Sequence, residues 1–350
     1  MAAEPLLASS LWQPNETATN ISANEPTQLA TGLHTLDQAL NGGLQYGSLT
    51  CISSEPDSDT DVLIHQILIS HLLSNATATA TIIDSTLSLN LRKLHRCLVK
   101  ALQQRDEADK PAMNVLSRLK IMKVFDLVGL TESITEVREA LENSMDSPQS
   151  FSRPSSAPQG TINHSQNEQD SILDQPPAAA PPKQLHPSEN TAGLLVINNL
   201  SDLTKPLQKS NHIQSQALLT SLLRSLRYTT KRHNLCTLLL NSTITTIGYT
   251  PQTKPPEETP SIFSSSGLRL ALGRTLGYGL DMHLLIHLVP GSVEGARGVY
   301  RGGSSSTSGK ERVGTGEMGN IVEILQDRWG VRQGRWVGFV VGGDEGLVGL

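Results

Sequence analysis

Aromatic residues make up only 3% of this 350-residue chain, cysteine occurs three times, and no apolar run is long enough to span a bilayer. The shortage of aromatics means that a core must be built from Leu, Ile and Val. At 37% hydrophobic residues there are enough of them for one large or two small domains. Cys51, Cys97 and Cys236 stand far apart, which excludes a disulfide framework and zinc-ligand spacing, and two of them lie in apolar runs as small core residues. Basic residues are outnumbered, 28 Lys and Arg against 33 Asp and Glu, for a net charge of −5. That balance argues against indiscriminate polyanion binding but leaves room for a local basic patch. Met1–Pro5 carries no basic leader region, so the expectation is a soluble intracellular protein with no membrane partner.

A further absence is local. A nucleotide-binding P-loop reads G-x-x-x-x-G-K-[ST] between a buried strand and a helix. Here the apolar run Leu49–Ile52 provides the strand and Val62–Leu73 an apolar-rich helix. The eight positions before that helix are Ser54, Glu55, Pro56, Asp57, Ser58, Asp59, Thr60 and Asp61. Both glycines are missing, Thr60 takes the lysine position, and Asp61 takes that of the magnesium-binding hydroxyl. Four carboxylates would crowd a phosphate, each pair at about 4 Å costing roughly 4 kcal/mol at an effective dielectric of about 20. Asp57-x-Asp59-x-Asp61 begins like a calcium loop, but Val62 holds the glycine position and Leu68 that of the bidentate glutamate, so no metal site is expected. The acid run reads instead as a solvated turn, or as a docking surface for a basic partner.

The pattern along the chain alternates strand and helix, which predicts one parallel sheet covered by helices. Strands are expected at 49–52, 79–83, 120–125, 193–198 and 235–240, and helices at 62–73, 90–103, 133–143 and roughly 212–231. Ser133 with Glu136 has capping-box spacing and marks the start of the third of these helices. Residues 147–190 hold eight of the 19 prolines and read as a disordered insertion. The remaining divisions are a flexible tail at 1–28, a core at 29–341 broken by loops at 250–266 and 291–319, and a flexible C-terminus at 342–350. Two glycine motifs in the last loop are decoys. Gly303 to Lys310 has one residue too many for a P-loop, and Gly314-x-Gly316-x-x-Gly319 precedes a strand where a dinucleotide fingerprint must precede a helix.

Three blocks surround the altered loop. Thr31–Asp37, Ala39–Leu44 and Gly47–Thr50 form a short amphipathic helix with Leu33, Leu36 and Leu40 on one face, then a double-glycine turn, then strand entry. Ala271–Asp281 leads into the strand Met282–Leu288, and Val322–Trp336 into the strand Val337–Val341. In this order the blocks resemble the RecA-type recombinase superfamily, and within it a eukaryotic recombinase paralogue with a degenerate P-loop. The resemblance implies an α/β RecA-like P-loop NTPase fold with a mostly parallel central sheet.

The resemblance also implies further stations of a nucleotide site, and these too are altered. Thr86 stands where the catalytic glutamate belongs after the strand ending at Asp84. Asn198 replaces the aspartate of the magnesium-binding strand. Asn241 keeps the first position of the phosphate-sensing Asn-Gln pair, and Ser242 replaces the second. Arg328, Arg332 and Arg335, with Trp329 and Trp336, read either as a charged hairpin over the sheet edge or as a basic, aromatic patch for DNA or an adjacent subunit. Arg274, in the segment the family uses near its subunit interface, is an interface or a plain surface arginine. Lys231, Arg232 and His233 close the long helix and complement its dipole.

The implied function is that of a non-catalytic accessory or assembly subunit in homologous recombination and DNA repair. Such a subunit acts in the nucleus, without a cofactor, in a hetero-oligomer with a recombinase or another recombinase paralogue, and DNA is a further candidate partner. Two other readings stay open. One is a scaffold subunit of an Elongator-type tRNA-modification complex, whose RecA-like subunits also lack phosphate-binding residues. The other is a paralogue with residual ATP binding.

Overall fold

The computed structural model describes residues 27–86, 89–105, 112–146, 193–245, 261–263, 268–290, 318–342 and 346–349. Residues 1–26 of the expected N-terminal tail, the insertion 147–190, and most of the loops 250–266 and 291–319 lie outside the described residues, while Gln28, the last residue of that tail, begins a strand. The chain opens with β1 (Gln28–Leu29), α1 (His34–Ala39) and β2 (Leu44–Gln45). The first half of the core then runs β3 (Ser48–Ser54), α2 (Thr60–Ser74), β4 (Thr79–Asp84), α3 (Leu91–Gln104), α4 (Ala112–Leu116), β5 (Leu119–Lys123) and α5 (Leu127–Asp146). The second half begins with β6 (Gly193–Asn198), α6 (Leu200–Ser210), α7 (His212–Arg232) and β7 (Cys236–Thr245). It ends with β8 (Leu268–Leu270), α8 (Gly273–Gly279), β9 (Met282–Pro290), β10 (Met318–Asp327), β11 (Trp336–Val341) and β12 (Leu347–Gly349).

The protein is an α/β fold around one large sheet of order β12-β11-β10-β9-β3-β7-β6-β4-β5, with β8 paired to β7. The six strands from β9 to β5 are parallel, while β10, β11 and β12 add an antiparallel flank. Helices cover both faces of the central strands, so β6 is a near-continuous apolar run, and β3 is buried at six of its seven positions although Ser48, Thr50 and Ser53 alternate with its apolar residues. On one face Leu63, Ile67, Leu94 and Leu98 of α2 and α3 pack with Ile52, Ile82, Val196 and Leu238. On the other, Leu130, Leu203, Leu219, Leu226 and Leu276 pack with Leu49, Ile83, Ile197 and Leu239.

Local chemistry sets the helix ends. The Asn90 side chain accepts from Lys93 N at the start of α3, and Asn211 does the same for Gln214 N at the start of α7. Three expectations need correction. α5 begins at Leu127, not at 133: Asp126 Oδ1 accepts from Gly129 N, and Ser133 is buried inside the helix. Glu136 instead pairs with Lys120 on β5. α6 was not expected at all. And part of the expected C-terminal tail is strand β12, paired with β11.

Candidate functional site

Open parallel sheets bind ligands at the carboxyl ends of their strands. The four adjacent strands β3, β7, β6 and β4 all run the same way and end at Ser54, Thr245, Asn198 and Asp84. The altered loop, Asn241 with Ser242, Asn198, and Asp84 with Thr86 therefore converge on one end of the sheet, although they are spread over nearly 190 residues.

The loop 55–59 is tied to its own protein. Glu55 N donates to Ile286 O at 2.8 Å, Ser58 N to Glu55 O at 3.3 Å, and Asp59 N to Asn320 Oδ1 at 3.0 Å. A phosphate loop would aim such N–H groups at an anion; here three of them are already bonded. Two of the four acids close the loop further. Glu55 Oε2 accepts from Leu288 N at 2.9 Å, and Asp59 Oδ2 from Asn320 Nδ2 at 2.7 Å. Only Asp57 and Asp61 face solvent, so the acids act by bracing the loop against β9 and β10 more than by crowding one point. Pro56 is exposed, and Asp57 has φ +68°, the left-handed region where a phosphate loop uses glycine. Thr60 is buried at the first turn of α2, with its hydroxyl 2.9 Å from that of Ser58.

The next station is a closed network. Asp84 Oδ1 accepts from Asn198 Nδ2 at 3.1 Å, from Thr86 N at 3.1 Å and from Thr86 Oγ1 at 3.2 Å. Asn198 Nδ2 also reaches Thr86 Oγ1 at 3.2 Å, and Leu89 N donates to Asp84 Oδ2 at 3.4 Å. Asp84 is the hub, and sequence reasoning passed over it in favour of its neighbours. Its signal was the lone carboxylate closing an apolar strand.

The third station is uneven. Ser242 shares a 2.7 Å hydrogen bond with Ser201 at the start of α6. Asn241 is 3% exposed, and among the described residues neither of its side-chain amide atoms has a hydrogen-bond partner. Its Cα lies in register with that of Ser53, whose Oγ is 2.8 Å from His283 Nε2. Burial pushes His283 down to about 4, so this imidazole is neutral at physiological pH.

The candidate basic patch does not form as one surface. Arg332 is 4% exposed: its Nε and Nη2 bond Asp327 at 2.9 and 3.0 Å, and Nη1 donates to Leu40 O at 3.1 Å. It is a buried cross-link between the hairpin and α1, not a docking residue. Arg335 is exposed but clamps Ala39 O and Asn41 Oδ1. Arg328 and Trp329 are exposed, and Arg328 Nη1 is 3.2 Å from Asp281 Oδ1. Arg274 lies in α8, and its side chain is outside the described residues.

Among the described residues no group of His, Cys, Asp or Glu is placed to hold a metal ion, and no helix is long and apolar enough to cross a membrane. A family of unknown function (DUF7125) matches residues 28–120, the span from β1 into β5 that contains the altered loop and Asp84. None of the curated proteins matches the chain.

Proposed function

We propose that this chain is a RecA-like recombinase paralogue whose nucleotide site is closed, working as a non-catalytic assembly subunit in homologous recombination in the nucleus. The observation that carries the reading is the convergence of the four altered stations on neighbouring parallel strands, with Asp84, Thr86 and Asn198 bonded to one another. With Asp84, Thr86 and Asn198 bonded to one another and the loop 55–59 tied to β9 and β10, binding of another protein is the use of the fold that this reading assigns.

The sheet supplies a place for a partner. Among the described residues β5 is the last strand of the sheet and has no neighbour on its outer side. Such an edge offers a row of N–H and C=O groups to an incoming strand. Beside it a groove of ≈ 720 Å³ is lined by Leu91, Met113, Leu116, Leu119 and Ile121 together with Arg92 and His95. Leu91 and Met113 are exposed large hydrophobics, of the kind that marks a binding surface when they cluster.

The test is affinity purification of the tagged chain with identification of the bound proteins, repeated for Leu91→Asp with Met113→Asp. The expected result is a recombinase or a paralogue that co-purifies with the unaltered chain and is lost from the variant. Deleting the gene should also sensitise cells to double-strand-break and crosslinking agents. Normal damage resistance with a tRNA wobble-modification defect overturns the recombination reading in favour of the Elongator-type scaffold.

A further inference from the structure

One face of the antiparallel flank is roofed by three residues of chain. In β9, Met282, Leu284 and Ile286 pack into the first core, so His283, Leu285 and His287 point to the opposite face. Glu323 of β10 shares that face, in register with Leu285 on one side and with Trp336 of β11 on the other. The face is continuous with the second core, because His283 is in register with Cys51. Among the described residues, however, that helix-covered core includes no side chain of β9, β10 or β11. His287 and Glu323 are nonetheless 2% and 1% exposed. The segment bonded or stacked against them is 261–263, which is neither helix nor strand.

A single carboxylate holds the segment. Ser261 Oγ donates to Glu323 Oε2, Ile262 N donates to Glu323 Oε1 at 2.7 Å, and Phe263 N donates to Ser261 Oγ at 3.0 Å. The Phe263 ring centroid lies 4.9 Å from that of His287 and 5.5 Å from that of Trp336, which it meets edge-on. Three adjacent strands therefore each supply one side chain to the segment, while Ile262 stays exposed.

His287 lies under this roof with a nitrogen to spare. Among the described residues its Nε2 has no hydrogen-bond partner. A neutral imidazole keeps one nitrogen as an acceptor, but the protonated ring carries two N–H donors. A buried donor without an acceptor is costly. Burial accordingly holds His287 below the ordinary histidine value of 6.5, while Glu323 and Glu55, the charged groups that face it, act in the opposite direction. His283, two residues earlier on the same face, is neutral at physiological pH. Glu55 Oε2 is bonded to Leu288 N, and Glu323 is bonded to the segment. A proton on His287 therefore sets the imidazolium in competition with Ser261 and Ile262 for the Glu323 carboxylate.

We propose that residues 261–263 are a strap that Glu323 clips over β9–β11 and that protonation of His287 releases, baring His287, Glu323 and Trp336. The closed form refuses the proton, and the open form, with the imidazole in water beside two carboxylates, accepts it. The strap is therefore favoured above the ordinary histidine value and loses ground as pH falls below it. The device works whether or not the chain is a recombination subunit.

The experiment is amide hydrogen exchange of the full chain at pH 7.5 and 5.5, corrected for intrinsic rates and read at Ile262, whose N–H is bonded to Glu323. Ile52 of β3 reports on opening of the whole sheet. Ile262 should exchange faster than Ile52 at both pH values, and its protection should fall by up to about tenfold at pH 5.5, the most that one proton gives one unit below about 6.5. His287→Gln should abolish that fall. Ser261→Ala, which leaves the sheet intact, should lower Ile262 protection by about tenfold at both pH values, as loss of a bond to a carboxylate does. Equal protection at Ile262 and Ile52 means that the strap opens only with the sheet, and overturns the proposal. So does protection at Ile262 that is insensitive to pH or to Ser261→Ala, and so does a fall at pH 5.5 that persists in His287→Gln.

Discussion

Asn198 Nδ2 donates to Asp84 Oδ1 across the β4–β6 pair at 3.1 Å, so an amide holds the carboxylate that ends β4. In a magnesium-dependent nucleotide site two carboxylates on neighbouring strands would share a metal. Here a neutral amide donor stands beside the Asp84 carboxylate in place of a second carboxylate.

Asn198→Asp therefore should not rebuild a nucleotide site. It places a second carboxylate about 3 Å from the first, removes a donor, and should cost about 1–3 kcal/mol of stability in urea unfolding near neutral pH. Neither the unaltered chain nor Asn198→Asp combined with Thr60→Lys should show a saturable site for a fluorescent ATP analogue below about millimolar with magnesium. Micromolar binding abolished by changes at Asp57–Thr60 would show that the loop opens.

Much of the sheet could be read from the sequence because strands buried on both faces leave short apolar stretches bounded by polar residues, complete in Leu194–Ile197 of β6 and broken only by Thr50 in Leu49–Ile52 of β3. α6 could not be. Asn199 before it is left-handed at φ +55°, Pro206 sits inside it, and Asn211 follows, a local pattern that reads as loop. Packing of Leu200 and Leu203 into the core overrides that pattern. The candidate site was legible only as a set of substitutions. That Thr86 meets Asn198, or that Glu55 braces Leu288 N, follows from strand pairing over more than 100 residues of chain, which no local spacing encodes. The arginines show the converse. Arg328, Arg332 and Arg335 look alike in a Gly-rich turn, yet only the fold decides that Arg332 meets Asp327 in the interior.

Arg332→Ala should destabilise the protein by about 3–5 kcal/mol, because it leaves the buried Asp327 carboxylate without its partner. Burial alone would raise the Asp327 carboxyl, and the bonds from Arg332 and from backbone N–H groups outweigh it, holding it below its ordinary value. Arg335→Ala removes an exposed clamp on α1 and should cost about 1 kcal/mol. Urea midpoints of the two variants check the order; equal effects would place both side chains at the surface.

Stability should fall as pH drops below about 6.5. His283 is held down to about 4 by burial, so between these values the unfolded chain takes up a proton that the folded chain refuses. The contribution is fully present above the unfolded pKa and falls by about 1.4 kcal/mol per pH unit, roughly 3 kcal/mol in all. His71 and His287 are lowered by burial as well and act in the same direction. The depressed Asp327 adds a loss only at more acid pH, as it takes up a proton below the ordinary carboxylate range. Urea unfolding at pH 7.5 and 4.5 checks this, and His283→Gln, which can still bond Ser53, should flatten the dependence.

Asn241 differs from the bonded residues around it. Its amide is buried in β7, and among the described residues neither of its side-chain polar atoms has a partner. Two unmet hydrogen-bonding groups in the interior are a cost that an apolar side chain avoids. Val suits a central strand and is close to Asn in size, so Asn241→Val should raise stability by about 1–2 kcal/mol. The measurement is a shift of the urea midpoint at constant slope, which separates a change in the folded state from one in the unfolded chain. A lower midpoint would mean that the amide is satisfied in solution, by a water or a bound molecule, and that this strand end still holds a ligand position.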